Sequence, residues 1–536
     1  GFAAALIGRV LESRGYRVGI ISQPDWHSAE PFKKLGRPRL AALITAGNLD
    51  SMLNEKTAAK KFRSRDSYSP GGEAGHRPER ATIVYANRMR EAYKDVPIII
   101  GGIEASLRRF AHYDYWSNKV RHSILLDSKA DILSYGMGEH SVVEIADALA
   151  EGKTVAEMYD IRGICYVTSR PPISDKTVVC PSYEDVKKDK LTFAKAFKMQ
   201  YEEQDPFSGK TIIQPSENRF VVQTPPALPL TTAEMDAIYE LPFQRRWHPD
   251  YDAAGGVPAL HEVQFSLTSQ RGCFGHCHFC AIASHQGRII QHRSHESLVR
   301  ETERMTHLPG FKGYIHDVGG PTANFRHVAC AKQLTDGACR NRHCIGSETC
   351  PNLNTSHDDY LKLLREIRSV KGVKKVFVRS GLRYDYVLAD HNKAFVKELC
   401  QYHVSGQLKV APEHVVKHVT DLMGKADVHA FLKFKDWFDE ANRELGKKQY
   451  LVPYFMSSHP GCTLKDAVAL AEFLRDMHMQ PEQVQDFIPT PGSLSTAMYY
   501  TGLNPLTGEK AYVPRRPEEK QMQRALMQYK NPANYD

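Results

Sequence analysis

A regular alternation of strand and helix patterns fills the second half of this 536-residue sequence and limits its fold more than any other feature. Six runs of strand length are separated by segments with helical periodicity. The runs are HEVQFSLTS, GFKGYIHDVGG, VKKVFVRSG, GQLKVAPEH, QYLVPYFMSSHPG and EQVQDFIPTPG. One helical pattern between them consists of Tyr360, Leu363, Leu364 and Ile367. Another begins at Thr463 with Asp466, a pair typical of a helix N-terminus. Six βα units in succession predict an open, partial (β/α)6 barrel, in which chemistry takes place at the carboxyl ends of the strands.

The first 160 residues alternate in a similar way. RVGIIS, LAALIT and VPIIIGG are strand candidates, and ADILSYGMGEHSVVEIADALAEG has the pattern of a strand, a glycine turn and an amphipathic helix. This alternation predicts an open parallel sheet covered by helices. The glycines that follow its strands are Gly101, Gly102, Gly136 and Gly138. Such glycines either line a ligand site at the carboxyl edge of the sheet or only form tight turns.

These patterns divide the chain into four parts. We expect an α/β domain at residues 1–160, a connecting region at 161–257, a barrel at 258–525 and the start of a further region at 526–536. The polar, proline-rich residues 161–257 lose the alternation. The chain begins without Met inside a helical pattern, so we expect an internal fragment of a longer protein. It contains neither a signal peptide nor an apolar run of the roughly 20 residues that cross a bilayer.

Charge and cysteine content narrow the classes of function. The net charge of +9 is the small difference between 71 basic and 62 acidic residues, and no block of like charges forms a basic arm. Of eleven cysteines, seven lie between Cys273 and Cys350. An odd and clustered set favours metal or cluster chemistry in a reducing compartment over a disulfide framework. We therefore predict a cytoplasmic protein.

Three cysteines in RGCFGHCHFC are the strongest candidate site. Cys273, Cys277 and Cys280 follow the first strand of the expected barrel. Thiolates bind zinc or iron–sulfur clusters. A structural zinc would take His276 or His278 as its fourth ligand, whereas a cubane on three thiolates leaves one iron open to a small molecule. The position of the loop, at the end of a barrel strand where a substrate would bind, favours the second interpretation.

C-x3-C-x2-C in this setting resembles the radical S-adenosylmethionine (SAM) superfamily. Five further segments resemble its YgiQ-type, UPF0313-like members: AHYDYW, SKADILSYG, DVGGPTANF, LKVAPEH and DFIPTPGSLSTAMYYTG. The resemblance covers nearly the whole chain. It implies a [4Fe–4S] cluster on the three cysteines with SAM at the fourth iron, and an enzyme whose substrate and catalytic residues it does not identify.

Candidate SAM-binding residues follow three strands of the expected barrel. The resemblance implies that Gly319 and Gly320 bind the SAM amino group, although Pro321 and Thr322 stand where many relatives have an acidic residue. After later strands, we expect Ser380, Arg383 and Glu413 to contact the ribose or the methionyl carboxylate, or else to satisfy their own loops. We further expect Arg383 and Glu413 to lie around the cavity, away from the cysteine loop.

A second group of cysteines lies in CAKQLTDGACRNRHCIGSETC, after the second barrel strand. The group consists of Cys330, Cys339, Cys344 and Cys350. It is a complete ligand set for a second iron–sulfur cluster or for zinc, and the alternative is four unrelated thiols. Because we expect this insertion at 330–350 to lack apolar content, a metal would order it.

The resemblance also bears on the first domain and on the reaction. The domain is similar to cobalamin-binding α/β modules, but the loop that often supplies their cobalt ligand lies before this chain, so the sequence predicts the fold of the module and not cobalamin binding. The DVGGPTAN edge and additional cysteines are similar to those of methylthiotransferases, which favours methyl or methylthio transfer. The substrate would be RNA, a protein or a small molecule, and flavodoxin or ferredoxin would supply single electrons. The rival hypothesis is a zinc-stabilised RNA-binding protein without radical chemistry.

Overall fold

The computed structural model describes residues 2–481 and 484–534, which contain both strands and helices in alternation. The strands are β1 Ala42–Ile44, β2 Ile98–Gly101, β3 His112–Asp114, β4 Lys119–Arg121, β5 Ile132–Ser134, β6 Ile164–Thr168, β7 Thr177–Val179, β8 Thr211–Ser216, β9 Arg219–Gln223, β10 Ser266–Thr268, β11 Gln270–Arg271, β12 Gln291–His292, β13 Tyr314–Ile315, β14 Asp317–Gly319, β15 Lys375–Val376, β16 Gln407–Glu413, β17 Tyr450–Ser457 and β18 Val484–Asp486.

The helices connect these strands. They are α1 Phe2–Ser13, α2 Ser51–Glu55, α3 Ala81–Ala92, α4 Gly102–Ser106, α5 Ile124–Ser128, α6 Glu139–Ala150, α7 Tyr183–Lys188, α8 Lys190–Glu202, α9 Thr232–Tyr239, α10 Leu260–Val263, α11 Ile282–Gln286, α12 His295–Thr306, α13 Asp358–Arg368, α14 Tyr384–Ala389, α15 Lys393–Tyr402, α16 Lys417–Met423, α17 Val428–Leu445, α18 Leu464–Asp476, α19 Leu494–Thr501 and α20 Pro517–Met527.

A seven-stranded sheet in the order β1-β2-β5-β6-β9-β8-β7 forms the first α/β unit. The strands expected from LAALIT, VPIIIGG and ADILSYG are β1, β2 and β5, and they pair in parallel. Helices cover both faces of this part, because Ile98 and Ile100 pack on one side while the intervening Ile99 packs on the other. The predicted parallel core is therefore present within a larger, mixed sheet.

The region expected to be a connecting segment, 161–257, instead completes this sheet. Strands β6 and β9 add to it with antiparallel pairing, and β8 and β7 extend it further. The prediction was wrong because the β8–β9 hairpin turns through Glu217 at φ +55 and Asn218, without the glycine that usually marks such a turn. The predicted strand RVGIIS is also wrong: it forms no strand, and Ile20 within it is exposed.

The second α/β unit contains the expected βα succession. All of its named pairs between successive predicted strands are parallel: β10 with β14, β13 with β15, β16 with β17, and β17 with β18. The run GFKGYIHDVGG forms both β13 and β14, so its two ends pair with different neighbours. Glu482 and Gln483 of the last predicted strand lie outside the described residues.

One hydrophobic core lies between the strands and helices of this unit. It includes Leu267 of β10, Val318 of β14 and Val376 of β15, all at most 2% exposed. The helical pattern predicted in α13 is confirmed, because its apolar residues are buried in this core. The predicted pair Thr463 and Asp466 forms a reciprocal cap at the start of α18. The apolar side chains of this unit are thus buried between strands and helices, and the loops at the carboxyl ends of the strands carry the candidate site residues.

Candidate functional site

The loop with the first three cysteines lies between β11 and α11, at the end of the first strand of the second unit. Gly272 has φ +87, and a Cβ atom there would lie 2.5 Å from the carbonyl oxygen of Ile289. The Cys273 amide donates to the Gly287 carbonyl at 3.1 Å, and β11 pairs antiparallel with β12. Backbone contacts therefore close the base of this loop, together with Gln286 Oε1, which accepts from the Gly272 amide at 3.1 Å.

The three thiols share one half-buried, positively charged environment. Cys277 Sγ lies 3.4 Å from Nη1 of Arg383. The charges of Cys273 and Cys277 raise the pKa of Arg383. The same two thiols raise the pKa of Cys280, and the charge of Lys425 lowers it. Burial and the neighbouring thiols raise the pKa of Cys280 to about 12. Cations beside the loop offset the negative charge that thiolates carry when they bind a metal.

In the part of the chain that the structure describes, no three His, Cys, Asp or Glu side chains are already spaced to hold a metal ion. This applies to both cysteine groups. The donor set of the loop nevertheless fits an iron–sulfur cluster, because it offers three thiols within eight residues, with Arg383 beside Cys277 and Lys425 near Cys280. Binding would draw the thiols together.

Gly275 determines how closely Arg383 approaches the loop. A Cβ atom at this position would lie 2.5 Å from Arg383 Nη1 and 3.4 Å from Cys273 Sγ. The first distance is shorter than any ordinary contact, so a side chain here would displace the guanidinium or the loop. Glycine at 275 is therefore part of the cysteine site.

Arg383 is engaged by protein groups on both sides. Its Nε and Nη2 donate to the two carboxylate oxygens of Asp385 at 2.9 and 2.7 Å, and both side chains are at most 9% exposed. Burial lowers the pKa of Arg383, but the charges of Asp385 and Cys277 raise it further, so it is well above its usual value.

The expectation that Arg383 lies away from the cysteine loop is wrong. Its amide donates to Asn324 Oδ1 at 3.0 Å, and Asn324 Nδ2 donates back to the Arg383 carbonyl at 3.1 Å. This pair fixes Arg383 beside residues 322–325, where Thr322 Oγ1 lies 3.5 Å from Cys273 Sγ. Two hydrogen bonds between residues this far apart in the chain cannot be predicted from the periodicity of strands and helices.

Gly319 and Gly320 lie at the end of β14 and Ser380 follows β15, which are the positions that the sequence predicts. A Cβ atom on Gly319 would lie 2.6 Å from Ser380 Oγ, and one on Gly320 would lie 2.5 Å from the Gln270 carbonyl oxygen. Ser380 Oγ donates to Asp317, whose Oδ1 also accepts from the Ser380 amide at 3.1 Å. Asp317 therefore fixes Ser380 against the glycine edge.

Glu413 is buried in an unusual backbone conformation. It has φ +68, and the pairing of β16 with β17 shifts register between Val410 and Glu413. Its side chain makes no hydrogen bond within the described residues, and burial raises its pKa against the opposing charges of Lys425 and Arg383. Non-glycine residues held at positive φ cluster at ligand-binding positions, which makes Glu413 a candidate for one.

The two histidines of the loop have partners in the protein. His278 Nδ1 lies 2.8 Å from the Leu422 carbonyl oxygen. The Tyr201 hydroxyl lies 3.2 Å from His276 Nδ1 and 3.1 Å from Nε2 of His343, which precedes Cys344. Burial is the largest cause that lowers the pKa of all three histidines, so they are neutral at pH 7. Tyr201 thus joins the cysteine loop to the insertion.

The second cysteine group lies against the first. Cys344 and Cys350 pack on the same apolar cluster as Cys273, and that cluster contains Phe274 stacked on Phe325 with their ring centroids 3.7 Å apart. Cys330 and Cys339 lie on the same insertion, both half-buried. The structure therefore brings the two sequence-predicted groups to neighbouring positions.

Three charged residues of this region were not expected from the sequence. Asp317 holds Ser380, Asp385 holds Arg383, and Lys425, 5% exposed, acts on Cys280 and Glu413. Asp317 had a weak signal, as the acidic residue in front of the glycine edge. Asp385 and Lys425 had none, because each becomes distinctive only through its burial.

The carboxyl edge of the first sheet faces the cysteine loop across helix α11. His285 Nδ1 lies 2.9 Å from Ser106 Oγ, which accepts from the Gly136 amide at 3.0 Å. A Cβ atom on Gly136 would lie 3.1 Å from the His285 carbonyl oxygen. A cavity beside this contact is lined by residues of both units, among them Arg109, His112, Tyr201, Ser284 and Thr496.

Comparisons with known proteins identify the family. A UPF0313 protein of Clostridium perfringens strain 13 is 57% identical over 536 residues, which cover 100% of this chain and 81% of the relative. A UPF0313 protein of Clostridium botulinum strain 657 is 54% identical over 100% of this chain and 84% of its own length. The chain belongs to the UPF0313 family. Residues 1–266 of this UPF0313 protein match the family "Radical SAM N-terminal", and residues 482–536 match a "Domain of unknown function (DUF3362)". Its N-terminal half therefore carries a radical SAM domain.

A solved structure has a similar fold. TsrM from Kitasatospora setae, a radical SAM methyltransferase with cobalamin and a [4Fe–4S] cluster bound, has a TM-score of 0.51 at 14% identity over 90% of the UPF0313 chain and 72% of its own. At this identity the similarity concerns the fold alone. Among the described residues of the UPF0313 chain, no helix is both long and apolar enough to cross a membrane.

Proposed function

We propose that this UPF0313 protein binds a [4Fe–4S] cluster through Cys273, Cys277 and Cys280, binds SAM beside it, and modifies a substrate by radical chemistry. The observation that carries the proposal is the buried guanidinium of Arg383 beside the cysteine loop, with its Nη1 3.4 Å from Cys277 Sγ and its charge also acting on Cys273. Such a loop at the end of a parallel strand is where a partial (β/α)6 barrel would hold its cofactor. The parallel pairs from β10 to β18 support this barrel.

When bound, the cluster and SAM would supply a 5′-deoxyadenosyl radical through transfer of one electron to the SAM sulfonium. The residues of the chain bind and orient these groups. Arg383 balances the charge of the thiolates, because its Nη1 is directed at Cys277 while Asp385 holds the other side of the guanidinium. We therefore assign Arg383 to the cluster as well as to SAM.

The other SAM contacts follow from the strand ends. We assign the glycine edge at Gly319 and Gly320 to the amino group of SAM, with Ser380 packed closely beside it. Glu413 would accept hydrogen bonds from the ribose hydroxyls, because its buried carboxylate has no hydrogen-bond partner within the described residues. Asp317 fixes the Ser380 side of this pocket.

Methyl or methylthio transfer is the reaction that we propose, on RNA, a protein or a small molecule. The DVGGPTAN edge and the additional cysteines support it, and TsrM, which has a similar fold, is a methyltransferase. A one-electron reductant of the flavodoxin or ferredoxin class would supply the electrons. TsrM also binds cobalamin, but its similarity to this chain concerns the fold alone, so cobalamin is not part of the proposal.

Anaerobic reconstitution with iron and sulfide, followed by reduction with dithionite in the presence of SAM, tests this function. We expect a brown protein that releases 5′-deoxyadenosine. Alanine at Cys273, Cys277 or Cys280 should abolish that release, because each change removes one of three ligands. The matched control is Cys400→Ala, which changes a thiol in the core of the second unit. Release at the parent rate by any of the three loop variants would contradict the assignment.

A further inference from the structure

We propose that Cys330, Cys339, Cys344 and Cys350 bind a second iron–sulfur cluster, separate from the one on the first three cysteines. The proposal does not depend on SAM chemistry. It concerns the insertion at residues 330–350, which follows β14 and lies beside the loop of the first site.

Contacts around a short turn connect the segments that carry the four thiols. Cys330 begins the turn, and the Gln333 amide donates to its carbonyl at 3.1 Å. From the same turn, Gln333 Nε2 lies 3.6 Å from Cys344 Sγ, and Lys332 Nζ lies 3.7 Å from Cys339 Sγ. The Cys350 amide donates to the Cys344 carbonyl at 2.9 Å. One turn therefore connects all four residues.

Cations balance the charge that four thiolates would bring. Lys332 contacts Cys339 directly. Arg288, from the base of the first loop, donates to the Cys339 carbonyl at 2.8 Å and to the Arg342 carbonyl at 2.9 Å. The charge of Arg288 also acts on Cys344. Four thiolates around a metal centre leave net negative charge, and these cations lower its cost in a half-buried site.

The insertion is already ordered by the protein, which argues against a zinc that serves only to fold it. Ala338 and Ile345 are buried, so the expectation that this segment lacks apolar content is wrong. Asp205 Oδ2 accepts from the Ala338 amide at 2.7 Å, and Arg340 pairs with Glu203 at 3.1 Å. Free thiols gathered here therefore need a role other than folding.

The position of the group favours a redox-active metal over zinc. Cys344, Cys350 and Cys273 all pack against the apolar cluster that contains Phe274, Phe325 and Tyr386. The two cysteine groups therefore share one apolar neighbourhood. An iron–sulfur cluster at this position can exchange single electrons with a neighbouring cluster, whereas zinc has no redox chemistry.

Iron, sulfide and zinc analysis of two multiple variants tests the proposal. After anaerobic reconstitution, the parent should hold about eight irons per chain, as two four-iron clusters. The variant Cys273→Ala/Cys277→Ala/Cys280→Ala should retain about four, with the Mössbauer spectrum of an iron–sulfur cluster. The variant Cys339→Ala/Cys344→Ala should also lose about four irons per chain. The control Cys400→Ala should have the iron content of the parent.

Three results would overturn the proposal. The first is a triple variant with native circular dichroism that binds neither iron nor sulfide. The second is zinc, in place of iron, in that variant. The third is a Cys339→Ala/Cys344→Ala variant with the iron content and Mössbauer spectrum of the parent. Because the triple variant lacks the SAM cluster, its iron content reports on the second site even if no radical chemistry takes place.

Discussion

Arg383 bridges Cys277 and Asp385: its Nη1 lies 3.4 Å from the thiol sulfur, while Nε and Nη2 donate to both carboxylate oxygens. Asp385 lies in the first turn of α14, so the guanidinium connects the cysteine loop to a helix of the second unit. The charge at the cluster site is thereby fixed by a buried ion pair, and its loss should affect cluster retention as well as SAM binding.

Replacement of this arginine, Arg383→Met, should lower both iron content and stability. It leaves Asp385 buried without a cation, which costs about 3–5 kcal/mol in the free energy of unfolding. Urea unfolding and iron analysis after reconstitution measure the two effects. The double change Arg383→Met/Asp385→Leu should recover most of the stability, because it removes the unpaired charge, but not the iron.

The matched control for that experiment is Arg365→Met. Arg365 pairs with Glu398 on the surface, and its side chain is 52% exposed. Exposed pairs contribute little to stability because water screens them, so this variant should keep the iron and nearly all the stability of the parent. Equal iron content in the Arg383 and Arg365 variants would show that the guanidinium has no role at the cluster.

The loop should not tolerate even one added methyl group at Gly275. In Gly275→Ala, the new Cβ would lie 2.5 Å from Arg383 Nη1, so we expect the cation to move and iron retention to fall. Gly381→Ala is the control, because a Cβ there meets no atom within 4 Å. Iron titration of both variants measures how much iron each one retains. Equal iron retention would mean that the loop moves freely to accommodate the added methyl group.

Glu413→Gln should change the pH dependence of stability in a defined direction. Burial raises the pKa of Glu413 above its ordinary value of 4.5, so the folded protein holds this proton more tightly than the unfolded chain. The parent therefore loses stability as the pH rises from 4.5 through the raised pKa. The glutamine variant lacks this loss, and its stability relative to the parent should increase over the same interval in urea unfolding.

Glu413→Gln should bind SAM about tenfold more weakly while it keeps its iron. The change removes the charged carboxylate, and hydrogen bonds to such a group contribute about 1.5–3 kcal/mol. Equilibrium binding of SAM to the reconstituted protein measures this. Loss of iron in step with loss of SAM binding would instead make Glu413 a structural residue of the loop.

The first unit should fold only with the strands that follow residue 160. A fragment of residues 1–160 would leave Ile132 of β5 without its partners Ile164 and Val222, which complete one face of the sheet. We expect this fragment to aggregate and residues 1–257 to give native-like circular dichroism. A cooperative unfolding transition in the shorter fragment would restore the domain boundary that the sequence indicates.

Local periodicity predicted those parts of the fold that depend on neighbours in sequence. The buried face of α13, the cap at Thr463 and the position of Gly319 at the end of a strand all follow from element type and order. The antiparallel strands beyond residue 160 could not be predicted in this way, because their turn lacks glycine. Lys425 and Tyr201 could not be predicted either, because their roles arise from contacts with residues far away in the chain.

Helix α11 connects the cysteine loop to the edge of the sheet in the first unit. It begins two residues after Cys280, and through His285 it contacts Ser106 and Gly136 at the edge of the first sheet. Local opening of that edge must therefore strain the loop, and a loop held rigid by its ligands must resist that opening. Amide hydrogen exchange around residues 102–106 and 136 should slow when the cysteines are loaded, so the first sheet reports on events at a site that none of its own strands contains.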